Sequence, residues 1–500
     1  MMYITKICLR DVRCFEYAEI DLSDCKPGTS VLIAGNNGLG KSAILRAIAM
    51  GLCDRDSAAS LLRELEGNFI RKQAVAKKTA GEKEAEIEIF LMDDNKRKWR
   101  IKTIVREWKK LIIERVNQEY NGSDAEEAFV KFSDFWEDLF VAAYGAGLRT
   151  TATAKYADYF PPDAVYSLFK YDTPMQDPEI AWRRLRSAAE KEATEKEKND
   201  IKNKESNKKH EISKGIGPDR IDNMITGVLR YVLDLPVEAD ITLEPDGIFV
   251  KEDEEKKALE AMGDGHKALV KLTLDIIVWY LLKLNYSDDK GEERNWKSIR
   301  IDTDGRPIIS GIIIIDEIEQ HLHPRLQRKI LKHLYDKFPK LQFFITTHSP
   351  LCVSGTADVL EEKQERYKVF SIFKPEIGNV RIEEKRVPYG LTADQILIDY
   401  FELPTTLNIT LENDYKRLRE LLLNENRNVS DEEEFQTLKS KITEIAPVLG
   451  ETIREREMVV SLKKTTEEIA QHLKEQQPTR NIARYAKKLA LDKDQEEGST

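Results

Sequence analysis

Residues 35–42 read GNNGLGKS, between an apolar run at 31–34 and a segment of helical spacing at 42–51. Few short strings restrict a fold as strongly. G-x-x-x-x-G-K-S describes a tight loop in which glycines let backbone N–H groups turn inward around phosphates. Such a loop is delivered by a buried strand and closed by a helix N-terminus, which favours anions. An α/β architecture is therefore expected, with Gly35, Asn36, Asn37, Gly38, Gly40 and Ala43 in the phosphate cradle. Lys41 is expected to reach the outer phosphates of ATP, and the Ser42 hydroxyl to face Mg²⁺.

Two further motifs fit the same chemistry. GIIIIDEIEQHLHP, at 311–324, is an apolar strand that presents Asp316 and Glu317 at its end. Five apolar residues in a row suit a parallel strand buried on both faces. Asp316 is expected to hold Mg²⁺, and Glu317 to polarise the attacking water. QFFITTHSP, at 342–350, is a second buried strand, and His348 at its end is placed to sense the γ-phosphate. About 275 residues separate Lys41 from Asp316, whereas about 30 separate Asp316 from His348. The spacing describes an ATPase head split by a large insertion.

Composition limits the alternatives. The chain has 500 residues, 41% of them hydrophobic and 34% charged, with a net charge of -10. That balance allows a core and excludes a generally basic coat for nucleic acid. Cys8, Cys14, Cys25, Cys53 and Cys352 show no paired spacing and are read as buried free thiols in a reducing, cytoplasmic setting. No apolar run reaches a membrane span, and residues 1–15 read as a strand with no leader pattern.

Along the chain, 3–9 with 18–22 and 85–92 with 99–105 read as hairpins, 268–284 as an apolar helix, and 367–373 with 380–384 as a closing strand pair. Four parts are expected. Residues 1–178 carry the first part of the head, 179–214 a charged helical or disordered insertion, 215–403 the second part of the head, and 404–500 a helical domain. The last has an apolar stripe at Leu418, Leu421, Leu422, Phe435, Leu438, Ile442 and Ile445. The stretch 463–488 reads as a solvated helix, with nucleic-acid contact as the alternative. His321 and His323 lack a third metal ligand, and Asp302 and Asp304 read as a hairpin turn.

The three motifs in this order resemble the RecF/SMC/OLD branch of the ABC-type ATPases. VAAYGAGLRT (141–150), SLFKYDTPMQDPE (167–179), GDGHKALVKLTLDI (263–276) and YGLTADQIL (389–397) resemble the prokaryotic anti-phage-defence ATPases, the set that includes Septu, retron-associated and PARIS-system members. The resemblance covers most of residues 3–403. It implies a two-lobed head that closes on ATP with a second copy of itself, in a dimer or a trimer of dimers. It makes Gly263, Gly265 and His266 the signature segment facing the partner's ATP, and Arg13 an arginine near nucleotide. The family usually has serine where this chain has Gly263, so a hydroxyl donor to phosphate is missing and slow hydrolysis is expected. No glutamine follows Tyr144, where fuller sets have one.

The expected function is an ATPase of bacterial antiviral defence, responding to a phage-derived trigger and controlling a separate effector, a nuclease. Two other readings stay open: a DNA-repair ATPase of the RecF/SMC type, and a scaffold in which ATP is structural.

Overall fold

A computed structural model describes residues 2–65, 69–72, 83–108, 110–120, 139–146, 161–170, 173, 175, 177–187, 189–190, 194, 218–236, 238–252, 255–285, 307–361, 364–375, 378–403, 409–423 and 428–445. Most of the charged insertion, the turn at Asp302 and Asp304, residues 147–150 and the tail beyond 445 lie outside them. The chain divides into two compact units, Met1–Thr406 and Leu407–Thr500.

The first unit begins with β1 (Met2–Val12), β2 (Phe15–Asp21) and β3 (Ser30–Gly35), followed by α1 (Lys41–Leu52) and α2 (Arg55–Arg63). Then come β4 (Lys83–Asp93), β5 (Lys98–Trp108), β6 (Lys110–Tyr120), β7 (Val141–Tyr144), α3 (Pro161–Tyr166) and α4 (Pro218–Val232). A small meander, β8 (Asp240–Glu244), β9 (Gly247–Glu252) and β10 (Glu255–Ala258), precedes the long α5 (Asp264–Asn285). The unit continues with β11 (Gly311–Ile315), α6 (Pro324–Lys337), β12 (Leu341–Thr347) and α7 (Pro350–Gly355). It closes with β13 (Leu360–Glu361), β14 (Gln364–Glu365), β15 (Tyr367–Phe373), β16 (Arg381–Lys385) and α8 (Ala393–Phe401).

These strands make an antiparallel sheet of order β2-β1-β4-β5-β6 and a six-stranded sheet of order β16-β15-β3-β12-β11-β7. In the second, β15, β3, β12, β11 and β7 run parallel, and only the edge strand β16 is antiparallel. α1 lies between the two sheets and touches strands of both. That placement explains its composition: Ala43 to Leu52 are all buried, as expected of a helix covered on every side. Gly51 allows the close approach, since a Cβ there would lie 2.6 Å from Ile89.

Side chains of the parallel strands alternate between two cores. Leu32, Ile313, Ile315, Phe343 and Ile345 face one; Val31, Ile33, Ile312, Ile314 and Phe344 face the other, with α1. The buried Gln342 at the start of β12 ties the sheets together. Its amide nitrogen donates to the carbonyls of Ile4 (3.0 Å) and Thr29 (2.8 Å), and its oxygen accepts from Ile4 N–H (2.7 Å). The α/β head expected from the sequence is the fold observed. The sequence reading passed over β6 and the β8–β10 meander.

The second unit contains α9 (Ile409–Leu423) and α10 (Val429–Ile445), which pack against each other. Leu411 and Leu421 are buried within it, and Arg417 forms an ion pair with Glu434 at 2.8 Å. Among the described residues no helix is long and apolar enough to cross a membrane.

Candidate phosphate site

The parallel strands β3, β11 and β12 end at the same edge of the sheet, where ligands of open α/β sheets bind. β3 delivers the loop 35–42, β11 delivers Asp316 and Glu317, and β12 delivers Thr346, Thr347 and His348. β12 lies between the other two, so residues far apart in sequence become neighbours.

The loop takes conformations that its glycines permit. Gly35, Gly38 and Gly40 have φ of 149°, 78° and 100°, values that a side chain disfavours. At Gly40 space is also lacking, because a Cβ would lie 2.4 Å from Cys14 Sγ and 2.8 Å from Phe15. Cys14 Sγ in turn donates to the Leu39 carbonyl at 3.3 Å. The turn that carries Arg13 (φ 49°) and Cys14 is thus packed against the phosphate loop. Cys14 and Cys25 are only half-buried, whereas Cys8, Cys53 and Cys352 are buried; all five are free.

Lys41 is 5% exposed. Its ammonium donates to the carbonyls of Gly35 (2.7 Å) and Asn36 (3.0 Å) and lies 3.1 Å from His348 Nδ1. Burial pushes its pKa down to about 8, and the carboxylates of Asp316, Glu317 and Glu319 oppose that shift. A buried cation satisfied by carbonyls and an imidazole is poised for an anion.

The acids are held by β12. Asp316 is 1% exposed. Its Oδ1 accepts from the Thr346 hydroxyl, which in turn accepts from Glu317 N–H at 2.9 Å. Glu317 has φ 53°, a left-handed conformation that costs energy and is common where function requires it. Its carboxylate accepts from Gln320 and lies 3.4 Å from His348 Nε2. Glu319 holds the end of β12, accepting from the Thr347 hydroxyl (2.8 Å) and from His348 N–H. Ser349 caps α7 and donates to Gln327 at 2.7 Å.

Two features fit a magnesium nucleotide. Asp316 Oδ2 is buried without a hydrogen-bond partner, and such an orphan calls for a cation or an ordered water. The loop glycines leave backbone N–H groups, rather than side chains, at the N-terminus of α1 beside Lys41.

The sequence matches a family model described as "AAA domain, putative AbiEii toxin, Type IV TA system" over residues 30–354. The chain belongs to this AAA family. The AAA match takes in β3, the phosphate loop, Asp316, Glu317 and His348. Among curated proteins, the chain is similar to the Septu protein PtuA of Bacillus mycoides (strain KBAB4), with 30% identity over 202 residues, which are 40% of this chain and 24% of that protein. It is also similar to the Retron Vc95 probable ATPase of Vibrio cholerae serotype O1 biovar El Tor, with 40% identity over 65 residues, 12% of this chain and 13% of the relative. The chain therefore spans about a quarter of the Septu relative's length and less of the retron relative's. Among solved structures, similar ones are the SMC head domain from Thermotoga maritima (14% identity, 77% of this chain and 99% of that chain, TM-score 0.39) and the recombination mediator protein RecF (10% identity, 77% and 98%, TM-score 0.36).

Other residues singled out in the AAA sequence lie around this cluster. Asn36 donates its amide to the Phe401 carbonyl at 2.8 Å, joining the loop to the end of α8. Gly263 to His266 open α5 against the loop that follows Glu317: a Cβ on Gly265 would lie 2.6 Å from the His321 carbonyl. Gly263 has open space, with only His266 Nδ1 near, at 3.8 Å. His323 caps α6, its Nδ1 accepting from Arg325 N–H at 3.3 Å. At the end of β7, a Cβ on Gly145 would lie 2.2 Å from the Ser167 carbonyl, and the Ser167 hydroxyl donates to Ala143 O at 2.8 Å. Glu319, Gln320, Thr346 and Cys14 were not identified as site residues from the sequence. Glu319 had a signal, a third acid at 316, 317 and 319; the others depend on which strands become neighbours.

Proposed function

We propose that the chain is a slowly hydrolysing ATPase subunit of a bacterial antiviral defence complex, which controls a separate effector, a nuclease. The observation that carries the catalytic part is the convergence of Lys41, Asp316, Glu317 and His348 at one sheet edge. Similarity to a Septu protein and a retron ATPase supports the defence part.

Bound ATP with Mg²⁺ supplies the transferable phosphoryl group. Loop N–H groups and Lys41 bind the phosphates, and Ser42 and Asp316 hold the metal. Glu317 accepts the proton of the attacking water while Gln320 and His348 orient its carboxylate. Glu319 fixes the backbone of His348, so that the imidazole stands between Lys41 and Glu317. Gly263, Gly265 and His266 face the nucleotide of a second copy, and Arg13 lies toward nucleotide within its own copy. Closure of two such heads on ATP sets the shape of an even-numbered assembly, a dimer or a trimer of dimers, which holds the effector. The C-terminal helices carry the docking surface.

The test uses the purified full chain in the cytoplasm-like presence of ATP and Mg²⁺, assayed for turnover, for assembly by light scattering, and for cleavage of DNA and RNA. Slow turnover, an ATP-dependent dimer or larger even assembly, and no cleavage without an effector are expected. Cleavage by the chain alone that persists through further purification overturns the separate-effector reading. A monomer with ATP and Mg²⁺ bound overturns the assembly.

A further inference from the structure

α6 presents a basic outer face. Arg325, Arg328, Lys329 and Lys332 are all exposed, and their spacing of three and four residues places them on one side of the helix. In a chain of net charge -10 this is a local reversal of sign. Beside Arg328, Lys329 and Lys332, the end of α4 leaves a cavity of about 580 Å³, also lined by Tyr231, Asp234, His333 and Asp358. Its volume lies within the range of small-ligand sites. It shares no lining residue with the phosphate loop, Asp316, Glu317 or His348.

The chemistry of the wall is selective. Lys329 pairs with Asp234 at 2.5 Å and Lys332 with Asp336 at 2.7 Å. Arg328 has no carboxylate partner among the described residues, and a guanidinium fork suits a phosphate better than a lysine does. His333 is 5% exposed, and its Nδ1 is buried without a partner. The imidazole packs edge-on to Tyr231 at 5.1 Å, and the Tyr231 hydroxyl donates to Asp336. Lys337 lies over the Tyr231 ring, 4.4 Å from its centroid. Asp358, also in the lining, likewise has no ion-pair partner among the described residues.

We propose that this cavity is a second ligand site that takes a phosphomonoester of mononucleotide size. Arg328, with Lys329 and Lys332, holds the phosphate. The buried His333 in the lining donates to the bound anion, and Asp358 accepts from a hydroxyl or amino group of the ligand's body. An extended polyanion is a poorer match, because Asp234 and Asp358 share the wall with the cations. Burial lowers the His333 pKa, with Lys329 adding to that effect and Asp234, Asp336 and the Val232 backbone opposing it. An anion bound nearby favours the protonated ring and gives Nδ1 a proton to donate, so binding takes up a proton.

The experiment saturates the full chain with ATPγS and Mg²⁺, so that the phosphate loop is filled, and titrates AMP, GMP and ribose 5-phosphate by calorimetry. At least one is expected to bind once per chain. Arg328→Ala should weaken it by about tenfold or more while leaving ATP turnover unchanged, and Arg325→Ala, outside the cavity, should have no effect. Sulfate, whose charge is fixed across the range, should bind more tightly to wild type as pH falls, and His333→Asn should flatten that slope. Absence of binding by all three probes overturns the site, as does binding insensitive to Arg328→Ala. A short DNA duplex that binds with equal dependence on Arg325 and Arg328, where the small probes fail, replaces it with a nucleic-acid stripe. Arg328 is a surface residue, so the decisive variant does not depend on folding of the His333 variant.

Discussion

His348 stands between a cation and a carboxylate: Nδ1 lies 3.1 Å from Lys41 Nζ, and Nε2 lies 3.4 Å from Glu317 Oε1. The imidazole therefore connects the group proposed to bind phosphate with the group proposed to activate water. Glu317→Gln keeps the shape of that contact and removes the base. It should retain nucleotide binding and lower turnover by about 10²–10⁴-fold. Turnover within a few-fold of wild type would move the base elsewhere. His348→Ala should also slow turnover, with binding weakened less than by loss of Lys41.

Lys41→Met tests the cost of holding a buried cation. Nucleotide binding should be lost, and with it the rise in melting temperature that ATP produces in wild type. Without nucleotide, the variant should melt no lower than wild type, because an apolar side chain needs no anion. The pH dependence has a definite sign. Lys41 has a folded pKa of about 8 against an ordinary value of 10.5, so between these values the unfolded chain holds more protons at this group. Its contribution to stability rises as pH climbs through that window and is least favourable below it. Lys41→Met should remove that part of the slope in nucleotide-free melting curves. A variant that melts well below wild type would show that the lysine hydrogen bonds to Gly35 and Asn36 stabilise the fold by themselves.

Asp316→Asn should uncouple metal from nucleotide. Ligand present at about a hundred times its Kd stabilises a fold by about 2.7 kcal/mol. Chelating Mg²⁺ should reduce this stabilisation in wild type, and in Asp316→Asn the chelator should change little. Thermal melting with ATPγS, with and without EDTA, reads both. Equal chelator sensitivity in the two proteins would remove Asp316 from the metal site.

The two glycines of the signature-like segment should respond oppositely. Gly265→Ala forces a Cβ against the His321 carbonyl and should destabilise the chain by about 1–3 kcal/mol. Gly263→Ser meets open space and should change stability by less than about 0.5 kcal/mol. On the proposed assembly it should raise turnover or tighten ATP-dependent association, because it would supply the hydroxyl donor that Gly263 lacks. If neither quantity changes, Gly263 does not face nucleotide.

Much of the head was legible because its decisive elements declare themselves locally. Ile312 to Ile315 form an apolar run too short for a helix and too continuous for a half-exposed strand, and they form an interior strand flanked by β12 and β7. The β8–β10 meander was not legible from the same pattern. Glu244, Lys251, Glu252 and Glu255 give it the composition of solvated chain, and Ile241, Ile248 and Val250 are its only buried large side chains. The Asp246-Gly247 pair, with Gly247 at φ 139°, was the available turn signal. At the site, residue types named the chemistry, but the supports of Glu317 and His348 come from across the sheet. Thr346 and Glu319 acquire their roles only once β12 lies beside β11.

β3 takes its two neighbours, β12 and β15, from residues 341–347 and 367–373. On a ribosome, which extends a chain by roughly 5–20 residues per second, the loop 35–42 is made early and its strand stays unpaired on both sides for tens of seconds. A nascent chain released before about residue 373 would carry the complete GNNGLGKS string without the sheet that supports it. Competence to grip nucleotide is thus acquired late in synthesis, and truncated products lacking those strands should fail to compete with the finished protein for ATP.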